Sequence, residues 1–206
     1  ALIAACSRAA GVKGSRGRVE EGLLVLQRMQ EAGIEPDVVS FNSLIDVCAK
    51  AARVWGSVGV SQACRVMGMM AECKVEPDTM TFNCLLNAHA QAAGAGQVYS
   101  WDEVFGVLEL MKEKGLEPDV YSYNCVMNVC AKTTRTATTR RPVHLEWGWD
   151  RGLEVLAHMK DNGVQPDVVT YTALLDTCLN SLRAAGDDES VRHGRSVLDM
   201  MREDGI

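Results

Sequence analysis

The side chains best suited to recognition chemistry form a polar set that occurs four times in this sequence. Each set has three members spaced four residues apart: Asn42-Asp46-Lys50, Asn83-Asn87-Gln91, Asn124-Asn128-Lys132 and Thr172-Asp176-Asn180. Because this spacing keeps side chains on one face of a helix, the sets predict a polar strip that can donate and accept hydrogen bonds. The alternative is an ordinary solvated helix surface. Three asparagines at one position weaken that alternative, since Asn is a poor helix former.

The eight cysteines raise the question of a disulfide framework or a zinc site. No Cys-x-x-Cys occurs, and one position of successive repeats holds Cys6, Cys48, His89, Cys130 and Cys178. Neighbouring helices lie about 8–10 Å apart, whereas zinc–sulfur bonds are about 2.3 Å long, so one ligand per repeat cannot converge on one ion. We therefore predict buried packing positions, no metal, no cofactor and thiols suited to a reducing compartment.

The polar sets belong to a longer segment that opens with Pro-Asp and occurs four times. Its prolines, at intervals of 41, 41 and 48 residues, are Pro36, Pro77, Pro118 and Pro166. The first copy carries apolar residues at i, i+3, i+4 and i+7, which are Phe41, Leu44, Ile45 and Cys48. This pattern predicts a helix with one buried face, and periods in this range are typical of stacked repeats.

Each repeat is predicted to contain two helices, the first of which is capped by the aspartate of the opener. These aspartates are Asp37, Asp78, Asp119 and Asp167. A glycine follows the second helix, where a left-handed C-cap belongs, except that Lys74 takes this position once. The connections between the two helices are predicted as loops at Gly11–Gly17, Ala51–Val60, Ala92–Tyr99, Thr133–Trp149 and Leu182–Glu189.

The repeated pattern resembles the pentatricopeptide repeat. Its motif runs Asp-Val-Val-(Ser/Thr)-(Tyr/Phe)-Asn-x-Leu-(Ile/Leu) and ends in Met-Lys-x-x-Gly-(Val/Leu)-x-Pro-Asp. The resemblance implies an all-α fold, an α-solenoid of stacked helix-turn-helix repeats in a right-handed superhelix. Repeats of that family usually have about 35 residues, so these P-type repeats are expected to carry lengthened inter-helix loops.

The resemblance also implies which residues would bind single-stranded RNA. The residue after the aromatic, paired with the aspartate at the end of its repeat, would select the base: Asn42 with Asp78, Asn83 with Asp119, Asn124 with Asp167, and Thr172 without a partner in this chain. Asn–Asp pairs are linked with uracil first and cytosine second, so a U-rich target over three repeats is expected. Asn83 and Asp119 are expected on the surface.

Two further sets follow from the same resemblance. The base-sandwiching position is occupied by Val39, Met80, Tyr121 and Val169, for which packing at the helix start is the alternative. The position expected to contact the RNA backbone is occupied by Arg8, Lys50 and Lys132. At the same position of other repeats, the sequence departs from the family pattern with Gln91 and Asn180.

The chain is predicted to be a single solenoid fragment. Its parts would be a partial repeat at 1–37 and repeats at 38–78, 79–119, 120–167 and 168–206, with more repeats expected on both sides. A targeting segment would lie upstream, and by resemblance the protein is expected in the mitochondrion or the chloroplast. No apolar run is long enough for a membrane span.

Three functions stay open at this point. A non-catalytic RNA binder is favoured by the Asn–Asp pairs, whereas a scaffold in an organellar ribonucleoprotein, such as a ribosome, is favoured by the net charge of −6. The third is the RNA-binding arm of an enzyme such as protein-only RNase P, although no nucleophile–base pair or carboxylate cluster is present here. A protein partner could also dock at the predicted loops, which carry or adjoin Trp55, Trp101, Trp147 and Trp149, although these residues could instead anchor helices.

Overall fold

All of the regular secondary structure in the described residues is helical. The computed structural model describes residues 16–96, 101–137, 145–185 and 188–206, and within these ranges it contains nine α-helices and no β-strand. The all-α solenoid class is therefore confirmed. The tenth expected helix falls on residues 1–15, outside the described ranges, and the right-handed superhelix stays a prediction.

The chain divides into two compact units, with the boundary between Glu117 and Pro118. The helices of the first unit are α1 (Arg16–Glu31), α2 (Val38–Trp55), α3 (Ser57–Glu72), α4 (Thr79–Gly94) and α5 (Trp101–Glu113). Those of the second are α6 (Val120–Ala137), α7 (Leu145–Asp161), α8 (Val168–Ala185) and α9 (Asp188–Glu203). The repeat boundaries and the single solenoid stay predictions.

Within each unit, the first helix of a repeat packs on its own partner and on the first helix of the next repeat. Helix α2 contacts α3 and α4, and α6 contacts α7 and α8. The aromatic residue of each first helix is fully buried, namely Phe41, Phe82, Tyr123 and Tyr171. Each unit thus buries its apolar faces by stacking neighbouring helices, as solenoid repeats do.

The predicted caps at the helix starts are confirmed. Each Pro-Asp aspartate accepts a hydrogen bond, 2.8 Å long, from the backbone N–H three residues later, at Ser40, Thr81, Ser122 and Thr170. In α4 the cap is reciprocal, because the Asp78 backbone N–H donates to Thr81 Oγ1 at 3.1 Å. This is a capping box with a hydroxyl in place of the usual Glu or Gln.

The helix ends also follow the prediction. Left-handed backbone closes α1 at Gly33 (φ 70°), and the Ile34 N–H donates to Met29 O at 2.8 Å. Lys74 adopts the same conformation (φ 55°) after α3, where the Val75 N–H donates to Met70 O at 2.9 Å. A lysine thus makes the cap that glycine usually makes, with the hydrogen-bond pattern of a Schellman motif.

The predicted loops are wrong at the residues where the structure describes helix instead. Most of the segment 51–60 is helical, since α2 continues to Trp55 and α3 begins at Ser57, which leaves Gly56 alone between them. Helices likewise extend to Gly94, Ala137 and Ala185, inside three other predicted loops. The cause is composition: Ala51 and Ala52 are buried, and alanine is the best helix former. In the repeat at 38–78, the extra residues therefore lengthen helices.

The row of cysteines packs as predicted where the structure describes it. Cys48, Cys130 and Cys178 are buried, and burial raises their thiol pKa to about 12, 12 and 11. Burial also lowers the pKa of His89 to about 4, so that residue is neutral at pH 7. Cys6 lies outside the described residues.

A bilayer span needs a longer apolar helix than any found in the described part of the chain.

Candidate nucleic-acid interface

In the first unit, the Asn42 side chain meets the cap of the next repeat. Its Nδ2 donates to Asp78 Oδ1 at 3.0 Å, and its Oδ1 accepts from Thr81 Oγ1 at 2.6 Å. Asp78 and Thr81 belong to the start of α4, so the cap of one helix holds a side chain of the preceding first helix. The predicted partners Asn42 and Asp78 are therefore together in space.

The second unit repeats this arrangement. Asn124 Nδ2 donates to Asp167 Oδ1 at 3.1 Å, and Thr170 Oγ1 donates to Asn124 Oδ1 at 2.6 Å. The Thr170 backbone N–H also donates to Asp167 Oδ1 at 2.8 Å. Two of the three predicted Asn–Asp pairs thus form the same three-residue contact, which we call the Asn–Asp–Thr triad.

The carboxylates of the triads are ionised at neutral pH. Burial acts to raise the pKa of Asp78, but hydrogen bonds from Asn42 and from the backbone and hydroxyl of Thr81 outweigh it and hold the pKa below its ordinary value. At Asp167, burial is likewise outweighed by bonds from Thr170 and Asn124, so its pKa is also lowered. A charged carboxylate is an acceptor only, and it therefore selects the N–H end of each amide.

The predicted base-sandwiching residues are exposed. The relative exposures of Val39, Met80, Tyr121 and Val169 are 65%, 57%, 54% and 52%. Single exposed apolar side chains are common, but these four share one position, the second residue of the first helix. More than half of the surface of each of these residues is open to solvent, and the base-sandwiching role stays a prediction.

Asn83, Asp119 and Thr172 lie outside the two triads. Asn83 is in the first unit and Asp119 in the second, so its pairing stays a prediction. The expected surface position is wrong for Asn83, which is 3% exposed. Asn124 is also buried, at 7%. Thr172 is exposed, and its hydroxyl donates to the backbone oxygen of Val168 at 2.6 Å.

The predicted backbone-contacting residues differ in their surroundings. Lys50 Nζ lies 2.7 Å from Asp46 Oδ2, an ion pair between two members of one polar set. The matching member beside Lys132 is the neutral Asn128. Lys132 is partly exposed, and Arg8 lies outside the described residues.

The polar strip does not include Asn180, contrary to the prediction. Asn180 is buried, and its Nδ2 donates to the backbone oxygen of Ala131 at 3.0 Å. Its role is therefore to join α8 to α6. In the second set, Gln91 Nε2 donates to Asn87 Oδ1 at 3.2 Å, and both residues are partly exposed.

The threonines of the triads were missed by the sequence reasoning, which named only the Asn and the Asp. A signal was present: each opener reads Asp-x-x-(Ser/Thr), which is a capping pattern. What the sequence does not show is that a capping hydroxyl also reaches an asparagine 39 or 46 residues earlier in the chain.

Two of the tryptophans make ring contacts within the described part of the chain. The ring of Trp149 stacks on His193 with centroids 4.2 Å apart, and Trp101 lies 5.2 Å from Phe105. Trp55 is partly buried, and the side chain of Trp147 is outside the description. The Trp149 contact joins α7 to α9, as the anchoring interpretation expects, whereas Trp101 and Phe105 belong to the same helix, α5. Across the described ranges, no group of three His, Cys, Asp or Glu is placed to bind a metal ion.

Comparison with solved structures shows the fold. The chain is 22% identical to the PPR domain of Arabidopsis thaliana protein-only RNase P 1, solved in complex with tRNA, with a TM-score of 0.56 over 99% of this chain and 95% of that one. It is 17% identical to the pentatricopeptide repeat protein PPR10, solved in complex with an 18-nt psaJ RNA element, with a TM-score of 0.41 over 100% of this chain and 36% of that one. A search of the curated proteins found no match.

The family itself follows from the sequence model described as "Pentatricopeptide repeat domain". It matches residues 12–51, 97–133 and 154–206, which together make up more than half of the chain. The chain therefore belongs to the pentatricopeptide repeat family.

Proposed function

We propose that this chain binds single-stranded RNA in a sequence-selective way and carries out no catalysis itself. One observation supports this most: in each unit an Asn–Asp–Thr triad lies in repeats whose second residue is an exposed apolar side chain. The triad offers fixed hydrogen-bonding groups, and the apolar side chains offer surfaces for the faces of a base. RNA-binding repeats that read one base each combine these two parts.

Base stacking would supply affinity, and hydrogen bonding to the base would supply selectivity. Base stacking on aromatic side chains is worth about 1–3 kcal/mol per base and tolerates every base. Val39 with Met80, and Tyr121 with Val169, would hold a base on both sides in the two units. Selectivity would then come from the amides of Asn42 and Asn124, with uracil preferred and cytosine second, and from the Asn83–Asp119 pair for a third base.

Charge would contribute little to affinity. The net charge is −6, so attraction to phosphates depends on single residues such as Lys50, Lys132 and Arg8. Each neutralised phosphate gives a slope of about −0.7 in a log–log plot of affinity against salt for single strands. We expect a shallow dependence, and a target of a few U-rich nucleotides.

The proposed setting is an organelle. The solved relatives are complexes with tRNA and with a psaJ RNA element, which supports RNA as the partner. We assign the protein to RNA processing, stability or translation in the mitochondrion or the chloroplast.

The test uses short RNA probes designed so that their bases align with the three Asn–Asp pairs in one way only. Seven-nucleotide probes would carry bases only at the three central positions, with two abasic nucleotides on each side, in the versions UUU, AUU, UAU and UUA. Wild-type protein should bind UUU most tightly. A correct base contact is worth about 1–3 kcal/mol, so each mismatch should cost about 5-fold to 150-fold in competition.

Exchanging a pair should then move the preference. By resemblance, Ser with Asn is linked to adenine, so Asn42→Ser with Asp78→Asn should prefer adenine at one end of the three bases. Asn124→Ser with Asp167→Asn should prefer it at the opposite end. Asn is also a good N-cap, so both variants should stay folded. The control is Asn87→Ser, which changes a polar residue outside the pairs and should leave the ranking unchanged. An unchanged ranking in two folded exchange variants contradicts the proposal.

A second function, a scaffold in an organellar ribonucleoprotein, is favoured by the acidic charge balance. Crosslinking followed by sequencing separates the two functions. A short U-rich footprint supports sequence-selective binding, whereas contacts scattered over structured RNA support the scaffold.

A further inference from the structure

We infer that Thr81 and Thr170 are positioning residues that hold the base-selecting amides in one orientation and thereby set the strength of base discrimination. The inference rests on the proposed function, because it concerns the Asn–Asp pairs. It adds a third residue to each pair, and this residue is the third one of the first helix in the following repeat.

The hydrogen-bond geometry gives the hydroxyl a defined direction. The Asp78 backbone N–H donates to Thr81 Oγ1 at 3.1 Å, which leaves the hydroxyl hydrogen free to donate elsewhere. Two acceptors lie within reach: Asn42 Oδ1 at 2.6 Å and Asp78 Oδ1 at 2.8 Å. The carboxylate oxygen already accepts from the Thr81 N–H and from Asn42 Nδ2, so the shorter contact with the amide oxygen is the one that the hydroxyl completes.

The second unit has the same set of contacts. Thr170 Oγ1 is 2.6 Å from Asn124 Oδ1 and 3.0 Å from Asp167 Oδ1, and it accepts from the Asp167 N–H at 3.2 Å. Both threonines have 0% relative exposure. Water is therefore kept from the hydroxyl, and the hydrogen bond to the amide is not exchanged for one to solvent.

Each amide is thus held at both ends. The carboxylate binds Nδ2 and the threonine binds Oδ1, so a half-turn of the amide would place its oxygen against the carboxylate. The last side-chain torsion of Asn is broad when nothing restrains it. With the hydroxyl removed, the amide keeps its attraction to Asp but loses the contact that fixes its oxygen. The amide would then present a less defined pattern to a base.

Ser40 supplies a control, because its side chain also caps a first helix. Its N–H and its hydroxyl both donate to Asp37 Oδ1, at 2.8 Å and 2.7 Å. Among the described residues, the Ser40 hydroxyl bonds Asp37 and no asparagine. Replacing Ser40 therefore removes a capping hydroxyl without removing a bond to a described base-selecting amide.

The experiment compares Thr81→Val, Thr170→Val, the corresponding Ser variants and Ser40→Ala on the UUU, AUU, UAU and UUA probes. Thr81→Val should reduce discrimination about 5-fold at one end of the three bases, and Thr170→Val at the opposite end. This ratio corresponds to one hydrogen bond of about 1 kcal/mol. Discrimination at the central base should stay unchanged in both valine variants. The serine variants should keep the discrimination at the end bases, because serine keeps the hydroxyl. Ser40→Ala should not change the order in which the four probes bind.

The outcomes separate the inference from the proposed function. If wild-type protein binds all four probes equally, this result contradicts the proposed function and the inference together. Wild-type protein that discriminates, together with valine variants that discriminate equally well, overturns the inference alone. A loss that is equal at all three bases, accompanied by a lower melting temperature, assigns the threonines a structural role only and also overturns it.

Discussion

The two units of the molecule have the same triad but differ in the buried aromatic residue next to it. The Asn–Asp distance is 3.0 Å in the first and 3.1 Å in the second, and the Thr–Asn distance is 2.6 Å in both. The buried aromatic that precedes each selecting position, in contrast, is phenylalanine throughout the first unit and tyrosine throughout the second.

The tyrosines bring hydrogen bonds that the phenylalanines cannot make. Tyr123 Oη lies 3.1 Å from His158 Nδ1, and Tyr171 Oη donates to Asp204, which also accepts from Lys160 Nζ at 2.7 Å. The bonds from Lys160 and Tyr171 lower the pKa of Asp204, whereas burial and Asp204 raise the pKa of Tyr171. Triad geometry thus depends on the local cap and is independent of what the neighbouring aromatic contacts.

The largest expected effect concerns an aromatic of the first unit. Phe41 is 1% exposed, so Phe41→Ala should lower the free energy of unfolding by about 3–5 kcal/mol through lost burial and a cavity. The control is Leu24→Ala, at a residue 45% exposed, which should cost much less. Urea denaturation measures both. Equal losses would show that the buried aromatic does not carry the packing of this unit.

Removing a hydroxyl from the second unit should have a smaller effect. Tyr171→Phe keeps the ring and breaks the bond to Asp204, which should cost about 1 kcal/mol, the usual net value of one hydrogen bond. Asn124 and Asp167 should keep their contact, so the probe ranking should not change. A changed ranking would contradict the independence of the triad from the aromatic position.

Acid should weaken both units in the same way. Because the pKa values of Asp78 and Asp167 are lowered on folding, their contribution to stability is present above the unfolded value, about 3.9, and is lost as the pH falls through the folded pKa. Asp78→Asn and Asp167→Asn should therefore be less stable than wild type at pH 7 and should approach it at pH 2. Melting temperatures across this range test the sign. A difference that grows towards low pH would show that the carboxylates are not stabilising as anions.

The smallest expected effect concerns Lys50 and its acidic neighbour. Lys50 Nζ lies 2.7 Å from Asp46 Oδ2, so the carboxylate offsets part of its positive charge. Asp46→Asn should therefore raise RNA affinity slightly and steepen the salt slope by at most about 0.7, the value for one phosphate. Filter binding at several salt concentrations measures this, and Asp46→Asn combined with Lys50→Ala is the control that should lose the gain. An unchanged slope in Asp46→Asn would mean that Asp46 does not screen Lys50 from the phosphates.

Local rules predicted the local features of this fold. The aspartate caps, the left-handed helix ends and the buried cysteine row each depend on a few residues of known preference, and each was found. Helix length was missed because Ala51 and Ala52 were treated as connector residues, although their burial keeps the helix intact to Trp55. The bond from Asn180 to the backbone of Ala131 joins segments that are distant in sequence, which a single sequence does not reveal.

The single glycine between α2 and α3 makes this repeat intolerant of insertions. Gly56 has φ 57° and ψ −125°, a conformation that favours glycine, and its N–H donates to Ala52 O at 2.8 Å. A Cβ on Gly59, three residues later, would lie 2.5 Å from the Ala52 backbone, so the two helices cross with no spare room. One inserted residue turns a helix by about 100°, which would carry Gly59, Val60 and Ala63 out of the interface. In this hairpin the chain can change its side chains far more readily than its length.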